Sequence, residues 1–237
     1  KASVVINCSA YTDVAGAEKA VDEAFRLNRD AITHLTQALA GSDARLIHVS
    51  TDFVFDGTAT HPYDERAVTR PLQVYGRSKR EGEQILEASS IPWLCIRTAW
   101  LFGHGKRTFV SAIRDAAQRT GSVRVVTDEI GTPSYAPDIA EALIALMDKG
   151  AQGMYHATNT GIVSRYDFAK AILQQAGIAA TVEPIRVADV PSTVVRPSYS
   201  ALDCKRLEQT LGYRLRPWAD ALNAYFAREA KENTPNG

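Results

Sequence analysis

Short apolar runs and stretches of helical period alternate along nearly the whole chain, and this alternation restricts the fold more than any other feature. Apolar runs at 3–7 (SVVIN), 45–49 (RLIHV) and 93–97 (WLCIR) each give way to small or polar residues. Buried parallel strands that end in loops read this way. Between the first two, Ala20, Ala24, Leu27, Ala31 and Leu35 recur at three- or four-residue steps and predict one helix over about 16–39. A polar loop with DG, HP and RP turn signals fills 51–74, and a helix is predicted at 75–88. Helices follow at 108–119, 136–147, 164–176, 204–211 and 218–231, with strands at 123–127, 154–157 and 181–184. Pro137 stands near a helix start, where proline is tolerated. The expectation is an α/β chain built on a doubly wound parallel sheet covered on both faces. After about residue 128 the strands shorten, which predicts a smaller α/β lobe over 129–237, with the chain crossing between the two parts.

A length of 237 residues suits one large domain or a domain with an appendage. With 27 basic and 27 acidic residues, charge gives no argument for a nucleic-acid or membrane-surface partner. No apolar run approaches the ~20 residues needed to span a bilayer. Cys8, Cys95 and Cys204 lack CxxC spacing, and the first two fall in apolar runs. Buried, reduced thiols and a cytoplasmic setting are expected from this. The chain opens KASVVINCSA, without initiator methionine or signal peptide, and reads as though entered mid-fold. The tail KENTPNG is expected to fray.

Open α/β sheets bind ligands beyond the carboxyl ends of their strands. Three of the predicted strands end in CSAYT, STD and RTAW, which would project into one crevice. The next helix begins YGRSK, placing Tyr75 and Lys79 at i and i+4 on one face. Ser50, Thr51, Tyr75 and Lys79 then form a candidate acid–base site. A phenol with a pKa near ~10 is poorly matched to neutral pH. A nearby ammonium that lowers it by two to three units supplies roughly 3–4 kcal/mol of differential stabilisation. Such a tyrosine can protonate an alkoxide as hydride reaches a carbonyl, while a Ser50 or Thr51 hydroxyl holds the oxygen.

The segments STDFVFDG, PLQVYGRSKREGE, RTAWLFG and RPSYSALDCKRL, in this order and spacing, resemble the extended short-chain dehydrogenase/reductase superfamily. Within it they are similar to the dTDP-4-dehydrorhamnose reductases, over nearly the whole chain. The resemblance implies a Rossmann-like NAD(P)-binding domain, here partial, over 1–128, and a mainly substrate-binding lobe over 129–237. It implies NADPH- or NADH-dependent reduction of the C4 keto group of dTDP-4-dehydro-L-rhamnose, in polysaccharide biosynthesis. Tyr75 matches the catalytic tyrosine, and Lys79 the lysine that lowers its pKa and binds the nicotinamide ribose. Thr51 matches the hydroxyl beside the carbonyl, and Asp52 is implied near the sugar. Ala10, Tyr11 and Thr12 match a loop along the cofactor, and Val49 and Ser50 the strand end beneath the nicotinamide. Trp100 is implied to pack on the deoxysugar. Phe53 departs from the tyrosine frequent in the family and lacks its hydroxyl.

Members of this superfamily begin with a strand, a Gly-rich turn and a helix that receives the pyrophosphate. This sequence has no such segment, and its first strand resembles the fourth of the expected sheet. On the order of 50 further residues, at ~30 per βαβ unit, are therefore expected ahead of it. The family also raises a homodimer around Mg²⁺, whose ligands the sequence does not assign. Two other functions remain open. One is a related nucleotide-sugar reductase or epimerase; the other is a non-catalytic regulatory subunit like the methionine adenosyltransferase beta subunit.

Several residues have plainer readings. His48, mid-strand, is expected to be packed, and His34, His61, His104 and His156 lack metal-ligand spacing. Asp13, Glu18 and Asp22 read as a solvated helix start. Asn28, a poor helix former, is expected to hold helix backbone near the site, a structural more than a catalytic role. Trp93 and Trp218 are taken as core. Residues 196–203 (RPSYSALD) are expected to cover the crevice, with Asp203 as a helix N-cap.

Overall fold

The computed structural model describes residues 2–191 and 194–232. The chain runs through β1 (Val4–Asn7), α1 (Val14–Ala17), α2 (Val21–Phe25), a π-helical stretch (Arg26–Asp30), α3 (Ala31–Leu39) and β2 (Arg45–Thr51). A 3-10 turn (Asp52–Val54), α4 (Val74–Ala88), β3 (Trp93–Thr98), β4 (Leu101–Phe102), α5 (Phe109–Thr120) and β5 (Ser122–Val126) follow. Then come β6 (Ile130–Gly131), β7 (Ser134–Tyr135), α6 (Ala136–Asp148), β8 (Gly153–His156), β9 (Val163–Ser164) and α7 (Arg165–Gln175). β10 (Thr181–Ile185), α8 (Lys205–Leu211) and α9 (Trp218–Glu232) complete the described chain. Of the tail expected to fray, Lys231 and Glu232 belong to α9, and 233–237 lie outside the described residues.

The main sheet is parallel, in the order β1-β2-β3-β8. Its two faces follow the alternation of side chains along each strand. Leu46 of β2 and Cys95 of β3 pack with Ile32 and Leu86 from α3 and α4. Ile47, Leu94 and Ile96 pack on the other face with residues of α6 and α8, such as Leu143, Leu146 and Leu207. The doubly wound α/β arrangement expected from the sequence is present. β1 is the exception to the predicted burial: it lies at the sheet edge and Ile6 is 46% exposed. A second core gathers α5, α7 and α9 around Phe102, Val110, Phe168, Ile172 and Tyr225, beside the parallel pair β5–β10. The two sheets interleave along the chain, since β5 pairs with β10 while β8 returns to the main sheet.

The single helix predicted over 16–39 is broken. Ala20, at φ −116° and ψ 53°, separates α1 from α2, and the π-helical turn then precedes α3. A π turn inserts one residue without ending the helix. It turns the Asn28 amide inward, where Oδ1 accepts from Tyr11 N at 2.8 Å and Nδ2 donates to Tyr11 O at 3.1 Å. Nδ2 also donates to Ser78 Oγ at 2.9 Å, so Asn28 joins the loop after β1 to α4. Gly82 makes that contact possible: a Cβ there would lie 2.3 Å from Asn28 O. Asp13 caps α1 through Gly16 N, as its reading as a helix start implies. Glu18 does something else, accepting from Val74 N at 2.7 Å to satisfy the first turn of α4.

Candidate active site

Helix α4 lays Tyr75, Lys79 and Glu83, at i, i+4 and i+8, against the end of β2. Its first turn approaches the 3-10 turn so closely that a Cβ on Gly76 would meet Phe53 O at 2.2 Å. Phe53 packs edge-on to Tyr75 with ring centroids 5.7 Å apart. Lys79 is 1% exposed, and Nζ donates to Val49 O at 2.7 Å and lies 3.1 Å from His48 Nε2. Glu83 is fully buried and accepts from Ser50 Oγ at 2.6 Å. Arg97 reaches both Glu83 oxygens, Nε to Oε1 at 2.8 Å and Nη2 to Oε2 at 2.7 Å. Ser50 and Arg97 are register partners on neighbouring strands, which brings both donors to one carboxylate. A paired, fully bonded Glu83 is thus tolerated where a lone charge would not be.

Burial dominates the electrostatics. It pushes the Tyr75 phenol up to about 12, with the Thr51 hydroxyl pulling it down and the Asp52 charge pushing it further up. Lys79 does not offset this, its hydrogen bonds being made to His48 and Val49, and the tyrosine is held as a protonated acid. Burial lowers Lys79 to about 8. Asp52 rises to about 6 through burial, against the Ser200 and Thr51 hydroxyls and the Arg165 charge. Its Oδ1 accepts from Thr51 Oγ1 at 3.1 Å, while Oδ2 is buried without a hydrogen-bond partner.

These groups line a cavity of about 450 Å³. Of the residues expected at the site, it brings together Ala10, Thr12, Val49, Ser50, Thr51, Asp52, Tyr75, Lys79 and Trp100. Tyr11 is not on that wall: its ring packs near Ala17, Ala24 and Val74, and its backbone is clamped by Asn28. Cys8 does line the cavity and is exposed, unlike the buried thiol expected from its apolar run, because it follows the last residue of edge strand β1. Trp100 has φ 46°, in the left-handed region that costs a non-glycine residue about 1–3 kcal/mol. Gly131 leaves room for the indole, and the Arg165 guanidinium carbon stands 3.5 Å from the ring centroid.

Arg165 also borders a second cleft of about 1080 Å³, continuous in its lining with the first through Thr12, Val14, Arg107 and Thr108. Arg107, Arg124 and Arg196 bring further positive charge there. Arg196 thus puts the front of the 196–203 segment at this crevice, and Ser200 faces Asp52. Asp203 accepts from Lys205 N, one residue off the expected cap, since Cys204 is the N-cap of α8.

Sequence reasoning missed His48, Glu83, Arg97 and Arg165. His48 is not simply packed, being bonded to Lys79 and Asn7. The GE of YGRSKREGE was the available signal for Glu83, four residues beyond Lys79 on the same face. Among the described residues no cluster of three or more His, Cys, Asp or Glu side chains could hold a metal ion, and no helix is long and apolar enough to cross a membrane.

A dTDP-4-dehydrorhamnose reductase of Mycobacterium tuberculosis (strain ATCC 25618 / H37Rv) is 42% identical over 238 residues, covering 98% of this chain and 78% of that protein. The crystal structure of a dTDP-4-dehydrorhamnose reductase from Clostridium acetobutylicum superposes with a TM-score of 0.93 at 35% identity, covering 96% of this chain and 81% of that one. One from Bacillus anthracis, in complex with NADP, has a TM-score of 0.92 at 31% identity and covers 95% and 80%. Residues 1–231 match the family described as the RmlD substrate binding domain, and the chain belongs to that family.

Proposed function

We propose that this protein reduces the C4 keto group of dTDP-4-dehydro-L-rhamnose, giving dTDP-L-rhamnose at the expense of NADPH or NADH. The observation that carries this reading is the convergence of Thr51, Tyr75 and Lys79 on one cavity, with a phenol that burial keeps protonated. The similarity to dTDP-4-dehydrorhamnose reductases and the NADP in one structural neighbour support the substrate and cofactor. The residues present suit a nicotinamide: small side chains at Ala10 and Ala99 leave the wall open, and Thr98 Oγ1 is a buried oxygen without a partner. When bound, that ring supplies the hydride.

The chain's own residues do the rest. Thr51 stands beside Tyr75 and holds the keto oxygen, and Tyr75 delivers its proton as the alkoxide forms. Lys79 holds the cofactor ribose and, as an ammonium, stabilises the phenolate left behind. Asp52 Oδ2 is free to accept a sugar hydroxyl, and Trp100 offers an apolar wall for the deoxysugar. The arginines of the larger cleft take the diphosphate, because guanidinium groups match phosphate oxygens in pairs. A cytoplasmic location and polysaccharide biosynthesis go with this reading.

The test is NADPH consumption with dTDP-4-dehydro-L-rhamnose and with other dTDP-4-ketosugars. Tyr75→Phe lowers kcat at least roughly a hundredfold, the low end for a lost general acid, with its circular dichroism spectrum unchanged. Near-wild-type turnover of the variant removes Tyr75 as proton donor. Cofactor binding without turnover of any ketosugar points instead to a regulatory subunit.

A further inference from the structure

The hydrogen bonds behind Lys79 fix more than its position. Asn7 Oδ1 accepts from the backbone N–H of Ser9 at 3.1 Å and lies 2.7 Å from Ser9 Oγ. A backbone N–H can only donate, so the orientation of the Asn7 amide is determined: its oxygen faces Ser9 and its nitrogen faces His48. Asn7 Nδ2 is 3.2 Å from His48 Nδ1. The side-chain amide favours a bare Nδ1 that accepts from it, in competition with the Asn7 backbone carbonyl, which also faces the imidazole. In a neutral imidazole the proton belongs to the other nitrogen. Nε2–H accordingly points at Lys79 Nζ, 3.1 Å away. An ammonium has three donors and no lone pair, so an N–H aimed at it is repelled. A neutral amine instead accepts from Nε2–H and still donates to Val49 O at 2.7 Å.

We propose that Asn7 and His48 form a positioning pair that presents an N–H to Lys79 and thereby selects the protonation state of the lysine. The pair is an anchor and not a proton wire, because the amide that ends it does not pass protons on. His48 is fully buried, and burial followed by the Lys79 charge holds it well below the ordinary histidine range, which keeps it neutral.

Burial lowers Lys79, while Cys95, Glu83 and Cys8 act in the opposite direction, and the pair acts beside these groups. Cys95 of β3 is kept a neutral thiol by burial. Glu83 of α4 is neutralised by Arg97 of β3 and by Arg80. Tyr75, one turn earlier on α4, is protonated, and Cys8 in the loop after β1 is exposed. Burial brings the lysine down to about 8, so that it changes charge just above neutral pH. Below that value the ammonium is present; as the pH rises through it, the amine takes over and the chain of donors closes. Turnover that relies on the ammonium falls with the same limb.

Only the kinetic arm rests on the reductase reading, since the tautomer is measured without substrate and the two can fail separately. In ¹⁵N spectra of the imidazole, His48 is assigned by its loss in His48→Gln. Wild-type protein at pH 9 shows Nε2 protonated and Nδ1 bare; the opposite tautomer overturns the proposal. In Asn7→Asp the carboxylate accepts a hydrogen bond from Nδ1–H, which leaves a bare Nε2 facing Lys79. Asn7→Leu removes the amide without adding charge. Both move the alkaline limb of kcat/KM upward by about one pH unit, a tenfold rise in lysine proton affinity. An unmoved limb in both variants, with the wild-type tautomer as stated, overturns the positioning role. If neither variant folds, the wild-type spectrum still decides.

Discussion

Asp52, proposed to bind the sugar, is held at the expense of the fold. Its carboxyl is 2% exposed and raised from 3.8 to about 6, chiefly by burial. A carboxyl raised in the folded state binds more protons there than in the unfolded chain, so stability falls as pH rises between those values. The cost is absent below about pH 4 and complete above about pH 6. Asp52→Asn is expected to stabilise the protein by about 1–3 kcal/mol at pH 7.5, from a shift of roughly two units, and to give no gain at pH 4. Urea unfolding at the two pH values checks this; an equal gain at both would assign the effect to packing. Under the proposed function the same variant is also expected to lose affinity for the ketosugar. Tyr75 and Lys79 were legible in the sequence because i and i+4 on a helix fixes their common face. His48 was not, since the contact that gives it a role spans 31 positions and depends on how α4 lies on β2. Glu83 and Arg97, 14 positions apart, were hidden for the same reason.

At the level of elements, the strands of the main sheet and the long helices could be read because their apolar periods differ sharply. The π-helical stretch could not. One extra residue in a turn barely disturbs a period of 3.6, and Asn28, poor in a helix yet buried here, was its one trace. The strands of two residues, β4, β6, β7 and β9, are too short for any period. The π turn and α4 meet backbone to side at Gly82, where an added Cβ would lie 2.3 Å from Asn28 O. Gly82→Ala must push the helices apart, at about 1–3 kcal/mol for overpacking, which lowers Tm by roughly 2–4 °C per kcal/mol in a chain of this size. The exposed Arg77→Ala on the same helix is the control, with Tm essentially unchanged. A Tm for Gly82→Ala equal to the control would mean that the two helices are not held at this distance.

Across the whole molecule, the proposed function assigns chemistry to one cleft and recognition to the other. Arg124 lines the larger cleft and not the cavity that holds Tyr75, while Arg107 stands where the two meet. Arg107→Ala and Arg124→Ala are expected to raise KM for the dTDP-sugar about tenfold each, the loss of one charge-assisted contact of about 1.4 kcal/mol, with kcat within about a factor of two. Steady-state kinetics at low and high salt check this, the wild-type advantage shrinking as salt rises. A fall in kcat with constant KM would place these arginines in the chemical step. The cleft itself was not legible in the sequence: it forms where β5 and β10, some 55 residues apart in the chain, are brought side by side.

That interleaving also has a consequence for biosynthesis. β3 is covered on one side only when β8 has been made, and β5 has no strand partner until β10 arrives. As the chain leaves the ribosome, β3 and β5 carry open edges that later sequence must close, and pairings of this separation form slowly. A nascent chain halted near residue 128 would be a substrate for chaperones before it could be a domain.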